Sequence, residues 1–161
     1  MKFSPPIGKL ARATNAPGGS LLLLEVSGSR ALIISTNHVD DGQPSNVVLS
    51  AHANMQGIVH KSASNFWAWD VTEIAAIEID QSAFVVGDER PAFGSIACDK
   101  EGHRLIAVDR PGAFGGTNWL DLEQFQIAAP TGGTTVRFPK WKLVLPSERD
   151  DRTTLFEWPL T

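Results

Sequence analysis

The chain has no tyrosine, one cysteine, few cations and no long apolar stretch. Each shortage removes an explanation. A lone cysteine, Cys98, forms no intrachain disulfide and builds no thiolate zinc cluster. It lies in the apolar stretch 93–98 and reads as a small buried hydrophobe. The apolar run 21–24 is far too short to span a bilayer. Met1-Lys2-Phe3-Ser4-Pro5-Pro6 has no apolar segment of the kind that marks a signal peptide. The expectation is a cytoplasmic protein, or part of a larger assembly, with no membrane partner. Lys and Arg number 14 against 18 Asp and Glu, a formal charge of −4. The only local basic cluster is Arg137, Lys140 and Lys142, which a solvated strand face explains. Nucleic-acid backbones need clustered cations, so no nucleic-acid partner is expected.

Motifs for cofactor chemistry are also missing. His38, His52, His60 and His103 fall in no recognised metal spacing. Gly115-Gly116 and Gly132-Gly133 are isolated pairs in turn contexts and form no phosphate-binding loop. Neither a metal nor an organic cofactor is expected.

What remains is a series of short, bulky apolar segments. They cover residues 21–26, 31–34, 47–49, 74–79, 83–86, 105–108, 125–129, 136–138 and 143–145. Each has strand length, and turn residues separate most of them. The pattern predicts an all-β, antiparallel fold, a barrel or a sandwich. Residues 1–19, rich in Pro, Gly, Ser and Ala, read as an irregular N-terminal arm. Residues 20–161 read as one domain, large enough to bury a core.

Ser27-Gly28 between two apolar runs predicts a tight hairpin, because Gly supplies the positive φ of the turn. Both arms lack alternation, which predicts burial on both faces. Residues 46–50 and 57–61 are expected to pair next. Further hairpins are expected at Gly87-Asp88, across residues 99–102, and at Thr131-Gly132-Gly133. Residues 140–145 and 153–158 are expected to close the chain. Two segments carry helical signals. Asp70 and Glu73 are spaced as a capping box, yet the isoleucines that follow favour a strand over 74–79. Trp119, Leu122 and Phe125 are spaced for a short helix over 117–126.

Three segments carry a family likeness. Residues 31–42 contain Ser35-Thr36-Asn37-His38-Val39 after an apolar strand. Residues 72–80 place Glu73 ahead of Ile74-Ala75-Ala76-Ile77. Arg110-Pro111-Gly112-Ala113-Phe114-Gly115-Gly116 follows. In this order they resemble the histidine, acid and nucleophile segments of the trypsin-like serine protease superfamily. The resemblance implies a shortened double barrel, with His38 as base and Glu73 as its orienting carboxylate. It also places Phe114 where the nucleophilic serine would stand. A triad needs an oxygen or sulfur nucleophile, so the likeness implies the fold without peptidase activity. A hydrolase built on His38 with Glu73 or Asp70 is the catalytic alternative.

Five tryptophans without a tyrosine suggest another use of the chain. Trp67 and Trp69 are two apart, so a strand would put both on one face. Asn65 and Asp70 flank them. Such a face anchors a protein partner or stacks on a sugar ring, whereas Trp141 and Trp158 read as core. The leading expectation is a non-catalytic module that binds a protein partner, or a second copy of itself, through Trp67, Trp69, Asn65 and Asp70. A carbohydrate-binding sandwich is the further alternative.

Overall fold

The computed structural model describes residues 8–26, 28–40, 43–50, 58–61, 66–87, 92–102, 104–108, 118–128, 136–146 and 152–159. Among them there is no α-helix, and every strand pairing is antiparallel.

The first sheet has the order β1-β6-β2-β3-β4-β5. Its strands are β1 (Lys9–Arg12), β2 (Leu21–Val26), β3 (Ser29–Asp40), β4 (Gln43–Leu49), β5 (Ile58–Lys61) and β6 (Trp67–Asp70). The second sheet follows later in the chain. It comprises β8 (Val85–Val86), β9 (Ile96–Cys98), β10 (Arg104–Val108), β11 (Asn118–Asp121), β12 (Ile127–Ala128) and β13 (Val136–Phe138), ordered β12-β11-β10-β9-β13-β8. The third sheet joins β7 (Ala76–Ile79) to β14 (Trp141–Leu145) and β15 (Thr153–Trp158), ordered β15-β14-β7. Among the described strands none of the sheets closes on itself, so of the two expected forms the arrangement is the sandwich-like one.

One buried cluster draws on all three sheets. Leu21, Leu23, Leu32, Ile34, Val47 and Leu49 enter from the first sheet. Ile96, Ile106, Val108 and Leu120 enter from the second, and Trp141, Leu143, Leu155, Phe156 and Trp158 from the third. The opposite face of the first sheet buries Leu22, Ile33, Val48 and Ala68 around Ala13. Strands β2 and β3 therefore read as unbroken apolar runs because both faces are covered. Their hairpin turns at Gly28, whose φ of +78° belongs to the left-handed region.

Several sequence expectations change. Lys9–Arg12, placed in an irregular arm, is a strand paired along its length with β6. Its composition carries no strand signal; the partner strand decides its conformation. Asp88 and residues 131–133 lie outside the described residues, but the described strands that flank them do not pair with each other as expected. β13 lies between β8 and β9, and β12 lies at the opposite edge of that sheet. The helix considered over 117–126 is instead β11 followed by a turn. There Asp121 Oδ1 accepts the Glu123 amide at 2.7 Å and the Gln124 amide at 3.0 Å. Cys98 is half-buried rather than buried.

The third sheet is fastened to the second at one close approach. The Trp141 indole donates to the Gly94 carbonyl at 2.8 Å in a buried setting. Gly94 has φ +79°, and a Cβ there would overlap the Trp158 ring. Gly94→Ala should therefore lose about 3 kcal/mol, from left-handed strain and overpacking together. Urea denaturation followed by tryptophan fluorescence measures it. A loss below about 1 kcal/mol, the scale of an ordinary glycine-to-alanine change, would show that the ring moves aside freely.

Candidate functional site

The register of β1 against β6 builds an exposed face. Leu10 lies opposite Trp69 and Arg12 opposite Trp67. Directly opposed residues project to the same side of a sheet, so these four side chains share one face. Trp67 is 54% exposed, Leu10 50% and Trp69 37%. The alternate residues point the other way, and Ala68 among them is buried.

Hydrogen-bond phase tightens the pairs. The Ala13 amide donates to the Phe66 carbonyl at 3.0 Å, continuing the β1–β6 ladder. Alternation then turns the amides of Lys9 and Ala11 toward β6 and those of Leu10 and Arg12 toward the open edge. Leu10–Trp69 and Arg12–Trp67 are thus non-hydrogen-bonded pairs, the closer kind of cross-strand contact. The Arg12 guanidinium stands over the Trp67 ring at 4.9 Å from its centroid, within cation–π range.

This face extends the core. On β2, Leu23 pairs with Trp69, which pairs in turn with Leu10. Along that row exposure climbs from 7% at Leu23 to 37% and then 50%. The side of the first sheet that carries the main core thus overhangs its cover and emerges as an apolar ledge. A second exposed patch, Phe84, Val85, Val86 and Val136, lies at the β8 edge of the second sheet. It has neither paired tryptophans nor a described cation among its members.

Asp70 holds the end of β6 in place. Its Oδ1 accepts the Thr72 amide at 3.0 Å and the Thr72 hydroxyl at 2.5 Å. The Thr72 hydroxyl oxygen accepts the Leu21 amide at 2.8 Å, fixing this turn to β2. The capping signal at Asp70 is real, but the turn it starts ends within residues 72–74 and β7 follows. Asp70 alternates with Trp69 and faces away from the ledge. Asn65 lies outside the described residues.

Among the described residues, His38 and Glu73 share neither a hydrogen bond nor a cleft. An open cleft of about 610 Å³ is lined by Lys9, Ser20, Asp70, Thr72, Glu73 and Phe125, among others. Glu73 is exposed on its wall, and His38 is not among the lining residues. His38 sits on β3 where the register against β4 shifts between Ser35 and Val39. Its amide donates to Thr36 Oγ1 at 3.1 Å, and its carbonyl accepts the Ser45 hydroxyl at 3.0 Å. Its Nε2 is buried and has no hydrogen-bond partner. Among the described residues no carboxylate bonds to the imidazole, and no three His, Cys, Asp or Glu side chains gather as a metal site. Phe114, His52 and His103 lie outside the described residues, as does the side chain of His60.

Beside His38, Asn37 does work that sequence reading missed. Its amide donates to the Phe125 carbonyl at 2.7 Å and its Nδ2 to the Gln124 carbonyl at 2.8 Å. Its carbonyl accepts Gln126 Nε2 at 3.1 Å. These bonds tie β3 of the first sheet to the turn between β11 and β12 of the second. Phe125 adopts φ +53° there, and Gly19 comes so close to its ring that a Cβ at Gly19 would be crowded. A single asparagine between polar neighbours carries no signal of such a tie.

Searches against protein-family models, curated proteins and solved structures found nothing that matches this chain. The site is therefore read from its own geometry. Asn37→Ala removes only the side-chain bond, and should cost about 1 kcal/mol, the net value of one hydrogen bond. A urea midpoint shift of that size at unchanged slope is the expected result. No shift would show that solvent replaces the bond without loss.

Proposed function

We propose that this chain is a non-catalytic β-rich interaction module that binds a protein partner through the ledge of Leu10, Arg12, Trp67 and Trp69. The observation that carries this reading is the row from Leu23 to Leu10, in which a core face continues into solvent with two tryptophans upon it. Tryptophan and arginine are the residues most enriched where binding energy concentrates. Trp67 and Trp69 also sit on a strand fixed on both sides, so little ordering is needed before contact. A sugar-stacking role fits this surface less well, because Arg12 already covers one face of the Trp67 ring.

The double variant Trp67→Ala/Trp69→Ala should keep its circular-dichroism spectrum, since β6 is held by backbone pairing to β1 and β2. Its retention of a partner in pull-down from cell extract should fall about tenfold or more, the equivalent of losing one binding hot spot. Undiminished retention by the folded variant would remove the ledge from the function.

A second reading keeps the trypsin-like resemblance and makes His38 the centre of a degenerate hydrolase. A buried, unpartnered Nε2 beside a break in strand register is the observation in its favour. Such breaks are over-represented next to active sites. Under the first reading, hydrolysis of p-nitrophenyl acetate stays at the background rate in both the native chain and His38→Ala. A native rate well above background that His38→Ala abolishes would put the second reading first.

A further inference from the structure

We infer that the open edge of β1 takes an extended acidic segment of a protein partner as an added antiparallel strand. The inference rests on the reading of the ledge as a protein-binding surface and names the chemistry that surface selects. β1 is the terminal strand of the first sheet among the described strands. The hydrogen-bond phase set at Ala13 leaves the amides of Leu10 and Arg12 directed outward. An incoming strand satisfies such groups with its own backbone, and alternate side-chain pockets then set its sequence.

The exposed charges of β1 itself run against that of the whole chain, with Asp70 on the neighbouring strand opposite Lys9. Lys9 and Arg12 are both exposed on β1 of a chain with formal charge −4. Neither forms an ion pair or a side-chain hydrogen bond among the described residues. Arg12 is instead held over Trp67. A guanidinium held over a ring face still has N–H donors directed away from the ring, suited to a carboxylate. Leu10 lies between the two cations, level with Trp69.

Antiparallel addition converts this layout into a sequence pattern. A partner residue i opposite Arg12 places i+2 opposite Leu10 and i+3 opposite Lys9. The favoured segment therefore has an acid at i, a bulky apolar residue at i+2 against Leu10 and Trp69, and a second acid at i+3. Charged residues on an edge strand often serve only to keep sheets apart. That role needs no exposed leucine and no pair of tryptophans on the same face. An anionic bilayer is a poorer occupant, because such surfaces call for clusters of roughly four to eight cations, and among the described residues β1 carries Lys9 and Arg12.

Fluorescence anisotropy on the full chain tests the inference. The probe is a labelled peptide, Thr-Thr-Glu-Thr-Phe-Glu-Thr-Thr, with a Lys-for-Glu counterpart. Two further versions are N-methylated on one or the other alternating set of amides. The acidic peptide should bind about tenfold or more tightly than the lysine peptide; Arg12→Glu should cancel that preference, and Lys9→Glu/Arg12→Glu should reverse it. One methylated set should abolish binding while the other is tolerated, since only alternate amides face β1. Equal affinity for both charges, tolerance of both methylation sets, no binding of the acidic peptide at millimolar concentration, or capture by phosphatidylserine vesicles alone would each overturn it. Should partner retention still depend on Trp67 and Trp69 while the peptides show no charge preference, the binding surface stands and the acidic-strand inference falls.

Discussion

The structure depends on the seating of two tryptophans from the C-terminal hairpin against one glycine in the turn that leads into β9 of the second sheet. Trp158 occupies the space that a side chain on Gly94 would need, and Trp141 reaches the carbonyl of the same residue. Phe156 stands between them, with ring centroids 5.7 Å from Trp141 and 6.4 Å from Trp158. Large rings bring the most apolar area per residue, and a buried indole N–H must find an acceptor. The Gly94 carbonyl meets that need, so ring burial and hydrogen bonding favour the same geometry. The third sheet also contains β7, whose sequence position lies between the other two sheets. Docking the hairpin therefore fixes the place where the chain passes from the first sheet to the second.

Strands with strong local character were legible in the sequence; pairings across long separations were not. Residues 21–26 and 31–34 announce themselves by continuous branched aliphatics, and Gly28 announces their turn. Residues 105–108 and 153–158 are equally plain. β1 has no such signal: Lys9-Leu10-Ala11-Arg12 becomes a strand only because β6 offers an edge. The order of the second sheet was hidden for a related reason. Adjacent apolar segments suggest adjacent strands, but β13 inserts between β9 and β8 by contacts that no local pattern encodes. For the site, the spacing of Trp67 and Trp69 was enough to place them on one face. That Arg12 would stack there, and that Asn37 would tie two sheets, required partners tens of residues away. The pairing of His38 with Glu73, expected from the trypsin-like resemblance, has no counterpart among the described hydrogen bonds.

The edges of the sheets are treated differently, and the contrast bears on function. β15 ends the third sheet, and Arg30 from the first sheet donates to its Leu155 carbonyl at 2.8 Å. A group on that edge is thus bonded from within the molecule. β1 ends the first sheet with outward amides, two exposed cations and an apolar row beside them. Burying a large apolar side chain is worth about 1.5–3 kcal/mol, so leaving Leu10, Trp67 and Trp69 uncovered forgoes stability that a short overlying loop would recover. The same sheet covers its other face with Ala13, Ala16 and Phe66 packed against the second cluster. Among the described residues, one face of this sheet is thus partly covered while its main core face runs out into solvent. That asymmetry is why we propose the ledge for binding rather than read it as incomplete packing.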